Sequence, residues 1–222
     1  MPAAFTEDKE TLFTYLTFHD FFDTYILQDA LGLLQSILRA ANNKKPWKKA
    51  YPFTVVFYLQ QLGKLSNAAF YINDNHAQRK AAIISRQNRV EDPPPELLQT
   101  CRGGRLGDTL WSCFPRHLTL SMFYDPYIAI KKFCSCQTEK KWHTTFADLQ
   151  EYALVGSSIT DVHPPYNLLS IHRHLARLIE ACHLIEIRTN KNNNQQTSNR
   201  KRPNKKRVTV KRETRNNKTR NG

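Results

Sequence analysis

Residues 58–72 read YLQQLGKLSNAAFYI, and residues 171–185 read IHRHLARLIEACHLI. In the first stretch Tyr58, Leu62, Leu65, Ala69 and Ile72 recur in steps of four, three, four and three. Ile171, Leu175, Leu178, Cys182 and Ile185 repeat those steps in the same order. Steps of three and four stack side chains along one face of a 3.6-residue helix, so each stretch is an amphipathic helix with one stripe to hide. The two copies decide the fold class: an all-α bundle in which both stripes meet a common core.

Working outward, the likeness extends beyond the stripes. At an offset of 113 residues Leu62, Leu65, Ala68, Ile72 and Pro52 meet identical residues, and Lys64 meets Arg177. Phe21 meets Phe133 at an offset of 112, and Leu34 meets Leu149 at 115. Amphipathic helices share step patterns by geometry alone, and Leu and Ala suit any helix. With that alternative kept open, the reading is a bundle of two similar helical-hairpin units, an internal duplication of roughly 18–72 and 130–185.

The segments before the first copy are also periodic. Thr6, Glu7 and Asp8 supply a cap and first-turn acids for a helix carrying Leu12, Phe13, Leu16, Phe21 and Phe22. A second helix over about 27–41 aligns Ala30, Leu31, Leu34, Ile37, Leu38 and Ala41 and stops at Asn42-Asn43. The loop 44–52 leads into the helix over about 53–72. That helix contains Leu62-Gly63-Lys64-Leu65-Ser66, a faint helix-turn-helix pattern, but the stripe passes through Gly63 without a phase change and favours one continuous helix.

Beyond it, 76–90 continues as a polar, basic helical stretch until Pro93-Pro94-Pro95 stops it. Gly103, Gly104 and Gly107 mark a loop, so about 73–117 is the connector between halves 6–72 and 125–187. The second half restarts at Asp125-Pro126, a capping acid followed by a proline suited to a first turn, and runs to about Cys136. A further helix begins near Thr145, carries Phe146, Leu149, Tyr152 and Ala153, and ends at Gly156. After a loop over 157–165, the last helix spans about 166–187.

Charge divides the chain more sharply than hydropathy. The 222 residues carry 33 Lys and Arg against 19 Asp and Glu, net +14. From Arg188 onward stand 13 of those bases and a single acid, Glu213, so this segment holds +12 and leaves +2 for residues 1–187. Its Asn, Gln and Ser run buries too little apolar surface to offset ordering entropy, which predicts a disordered basic tail over 188–222.

The tail favours polyanions. Arg200, Lys201, Arg202, Lys205, Lys206, Arg207, Lys211, Arg212, Arg215, Lys218 and Arg220 are the candidate nucleic-acid-binding residues. Phosphate contacts of this kind are independent of sequence, and the tail has no aromatic residue with which to stack on bases.

No catalytic or metal motif emerges. Cys134-Ser-Cys136 followed by His143 has donor types that suit zinc but not the spacing of a zinc knuckle. His172 and His174, two apart on a helix, diverge by about 160°, and with His183 and Glu180 they read as a solvated face. Gly156-Ser157-Ser158 lacks the second glycine of a nucleophile elbow. Gly103-Gly104-Arg105-Leu106-Gly107 lacks the Lys-Ser/Thr of a phosphate loop. The five cysteines, odd in number and irregularly spaced, read as reduced thiols in a cytosol-like compartment.

Residues 1–10 lack the basic and apolar regions of a signal peptide, and no window is apolar enough for a membrane span. The expectation is therefore a cytoplasmic protein, nuclear in a eukaryotic host, that is not an enzyme and needs no cofactor or metal. Nucleic acid is the expected partner, with the helical body as a positioning platform. The alternative is a protein-interaction module whose tail only aids solubility or localisation.

Overall fold

The structure, a computed structural model, describes residues 4–74, 115–162 and 167–200. Within these residues every regular element is a helix: α1 (Ala4–Thr24), α2 (Leu27–Asn42), α3 (Pro52–Asp74), α4 (Leu120–Tyr124), α5 (Tyr127–Cys136), α6 (Glu139–Val155), α7 (Ile159–Val162) and α8 (Leu168–Arg200).

The stripes read from sequence are the core. On α2, Ala30, Leu34, Ile37, Leu38 and Ala41 are buried, and on α3 so are Val55, Tyr58, Leu62, Leu65, Ala69 and Ile72. Tyr58, fully buried, donates its hydroxyl to the Ala30 carbonyl at 2.7 Å, which satisfies that polar atom within the core. Trp142 is equally buried and stacks on Phe133, with centroids 4.5 Å apart, so α5 and α6 close on each other through aromatic faces. Gly63 lies mid-helix in an unbroken α3, facing the Phe146 ring. The helix-turn-helix pattern is therefore absent there.

The packing of the bundle maps onto itself when α1, α2 and α3 are exchanged for α5, α6 and α8. α1 lies on α3 as α5 lies on α8, α3 contacts α6 as α8 contacts α2, and α3 contacts α5 as α8 contacts α1. α2 meets α6, and α3 meets α8, across the middle.

Helix ends follow local chemistry. Thr138 caps α6 by accepting from the Lys141 N–H, and Thr119 caps α4 by accepting from the Met122 N–H. Asp125 Oδ1 accepts the Tyr127 N–H at 3.1 Å at the start of α5. Gly156 closes α6 at φ 79°, the left-handed conformation that glycine reaches without a Cβ clash.

Four boundaries or faces differ from the sequence reading. α6 starts at Glu139, not near Thr145, because Thr138 caps it and buried Trp142 belongs to its first turns. Two short helices were not expected: α4 falls between the connector and the second half, and α7 lies within the stretch read as the 157–165 loop. On α1 the inward face is Thr14, Phe18 and Phe21, while Leu16 is 46% exposed. α8 continues past Ile187 to Arg200, since extending a helix already nucleated by packing is far easier than starting one, even through Asn and Gln. The stretch 76–90, the proline run and the 103–107 glycines lie outside the described residues.

Candidate nucleic-acid interface

Arg200 is the last residue of α8. Lys201, Arg202, Lys205, Lys206, Arg207, Lys211, Arg212, Arg215, Lys218 and Arg220 lie outside the described residues. The root of the basic segment belongs to the bundle. Arg188 donates from Nη2 to the Phe123 carbonyl at 2.7 Å, and its guanidinium sits 5.2 Å from the centre of the Phe123 ring. It is thus a fold residue that ties α4 to α8.

The strongest polar constellation begins about two turns earlier. Glu180 is fully buried. Its Oε1 accepts the Arg116 N–H at 2.7 Å, and its Oε2 accepts those of His117 and Leu118 at 2.8 and 3.0 Å. Burial raises its carboxyl to about 7, while the three N–H groups and Arg116 pull it down. Arg177 Nε donates to the His117 carbonyl at 3.0 Å, and the His117 and His172 rings meet edge to face. Together these groups hold residues 116–118 against α8.

The expectation of a solvated His and Glu face therefore fails for Glu180 and His183. α8 is covered by α1, α2, α3, α4 and α5, so its middle has no side left for water. His183 packs on Phe22, ring centres 4.8 Å apart, and neither ring nitrogen has a protein partner. Burial lowers its pKa to about 4 and keeps it neutral. Nearby, His19 Nδ1 approaches Glu186 at 3.4 Å and its Nε2 approaches Asp23 at 3.2 Å.

A cleft of about 240 Å³ opens between the α5–α6 corner and the start of α8, lined by Cys136, Gln137, Lys141, Thr145, Asn167, Ser170, Ile171 and His174. Partial desolvation pushes the Cys136 thiol up, away from its reactive thiolate, and Cys136 Sγ donates to the Phe133 carbonyl. Cys134 is half-buried, Cys136 is exposed, and His143 stands on the exposed side of α6. Among the described residues no group of three His, Cys, Asp or Glu side chains converges to hold a metal ion. None of the described helices is long and apolar enough to cross a membrane.

No known family, curated protein or solved structure matches this chain.

The sequence reading passed over one surface. The α2–α3 loop and the start of α3 read KKPWKKAYPF over residues 44–53. Lys44, Lys45, Lys48 and Lys49 are exposed there, and so are Tyr51 and Phe53, at 84% and 69%. Paired lysines interleaved with aromatic residues were the available signal. A reading guided by helical periodicity registers only a loop.

Proposed function

We propose that this protein is a non-enzymatic nucleic-acid-associated protein. Its basic C-terminal segment neutralises phosphates without regard to sequence, and its helical body positions that segment. The observation carrying the proposal is the charge asymmetry: +12 of the net +14 lies in residues 188–222. Arg188 bonds to the Phe123 carbonyl within the bundle, which supports leaving it out of the phosphate-binding set that begins at Arg200.

We also read the two halves as an internal duplication. The repeated stripe steps and the self-mapping helix contacts support this reading. A crystal structure in which α1, α2 and α3 fail to superpose on α5, α6 and α8 would end it.

The test of function is a salt-titrated gel shift. It compares the wild-type chain with a full-length variant carrying glutamine at Lys201, Arg202, Lys205, Lys206, Arg207, Lys211, Arg212, Arg215, Lys218 and Arg220. The proposal requires that wild-type binding to duplex DNA or RNA fall by about 10³ to 10⁵ between about 50 and 200 mM salt, and that the variant bind weakly throughout. A wild-type chain that binds no nucleic acid at low salt, yet captures a protein partner equally well with and without those charges, favours an interaction module instead.

A further inference from the structure

We infer that the α2–α3 loop is a second, body-borne nucleic-acid site that takes unpaired strands, stacking bases on Tyr51 and Phe53 while Lys45, Lys48 and Lys49 track the phosphates. The inference rests on the nucleic-acid reading above and adds what the tail lacks, since residues 188–222 contain no aromatic ring.

The loop is built rather than slack. Trp47 is 8% exposed and turns into the core, and its backbone N–H donates to the Ala153 carbonyl at 2.8 Å. Pro46 lies so close to Gly156 that an added Cβ there would stand 2.7 Å from Pro46 Cδ. Lys44 Nζ reaches Asp161 at 3.2 Å, and Lys49 Nζ donates to Ser36 Oγ at 3.0 Å. These anchors fix the loop ends on α2, α6 and α7, and they leave Tyr51 and Phe53 outside.

Large exposed aromatics beside fixed cations need an account, because rings of this size are ordinarily buried. Phe53 already stacks on Phe57, with centroids 5.8 Å apart and planes 25° apart, so it presents a supported face. The Tyr51 carbonyl accepts the Thr54 N–H at 2.9 Å, which ties the two aromatic positions into one turn. Lys45, Lys48 and Lys49 beside two exposed rings match a strand whose backbone is anionic and whose bases are unstacked. A duplex offers the charge but hides the base faces. Charge complementarity thus commits the surface to single-stranded RNA or DNA over an apolar protein segment.

Fluorescence anisotropy with labelled single strands of about 20 nucleotides, oligo-uridine and oligo-thymidine, and with a duplex of equal length, tests this on the full-length chain at about 50 and about 300 mM salt. At the higher salt, where the tail is screened, wild type prefers the single strands. The double variant Tyr51→Ala/Phe53→Ala weakens that binding about tenfold or more while leaving duplex binding unchanged. Tyr51→Phe keeps the ring and restores affinity. Lys48→Gln/Lys49→Gln reduces the salt dependence on single strands.

Circular dichroism melting confirms that the alanine variant is folded, as expected for exposed positions. A folded alanine variant with wild-type single-strand affinity overturns the inference and leaves the tail reading standing. Unchanged oligonucleotide binding together with loss of a protein partner assigns the surface to protein and also overturns it. Wild-type protein that binds neither strand form at about 50 mM salt defeats the nucleic-acid reading itself.

Discussion

Glu180, fully buried on α8, accepts the backbone N–H of His117 at 2.8 Å across a sequence gap of 63 residues. With Arg116 and Leu118 donating to the same carboxylate, one side chain fastens the segment that leads into α4.

Glu180→Ala leaves three backbone N–H groups without their acceptor in a buried place. Orphaning such donors and emptying the site costs about 3–5 kcal/mol. Urea unfolding should show that loss, with faster amide exchange at 116–118. A change under about 1 kcal/mol would show that water replaces the carboxylate freely.

Glu180 and His183 have opposite pH dependences. The folded Glu180 carboxyl sits at about 7 against a reference of 4.5, so its contribution is full below 4.5 and is lost as pH rises to 7. The folded His183 sits at about 4 against 6.5, so its contribution is full above 6.5 and is lost as pH falls through 4. Each shift corresponds to about 3 kcal/mol, and the two largely cancel. His183→Leu removes one side of the balance and two orphaned nitrogens. The variant should therefore lose stability steadily from pH 4.5 to 7, where wild type stays nearly level. Denaturant midpoints across that range check it, and a flat variant profile counts against the Glu180 shift.

Gly156→Ala combines a left-handed backbone with a collision. Its Cβ would stand 2.7 Å from Pro46 Cδ and 2.8 Å from the Pro46 backbone nitrogen. A side chain at φ 79° costs about 1 kcal/mol, and displacing Pro46 adds more, so a total near 2 kcal/mol or above is expected. Calorimetric melting measures it. A midpoint within experimental error of wild type would mean that the loop moves aside without cost.

Tyr58→Phe removes the hydroxyl that donates to Ala30 and keeps the ring in its buried place. The Ala30 carbonyl loses a partner, and the change should cost about 1 kcal/mol in equilibrium unfolding. A variant as stable as wild type would show that the bond is worth nothing net.

The α2 and α3 stripes were legible because periodic burial is a local property: residues three and four apart share a face whatever lies opposite. Gly156 was legible for the same reason, since a left-handed stop is written in one residue. The start of α6 was missed because the cap at Thr138 is only a weak local signal. Burial of Trp142 depends on Phe133 from another helix.

The sequence alone settled that helices form, where their stripes run, and that nearly all the net charge gathers from Arg188 onward. Only the tertiary arrangement decided which residues water reaches. By surrounding α8 it put Glu180 and His183 inside, and by drawing Trp47 inward and Pro46 against Gly156 it left Tyr51 and Phe53 outside. Helical period reports faces relative to a residue's own axis, whereas exposure depends on how many neighbours cover that axis. That second quantity is fixed only when distant segments meet.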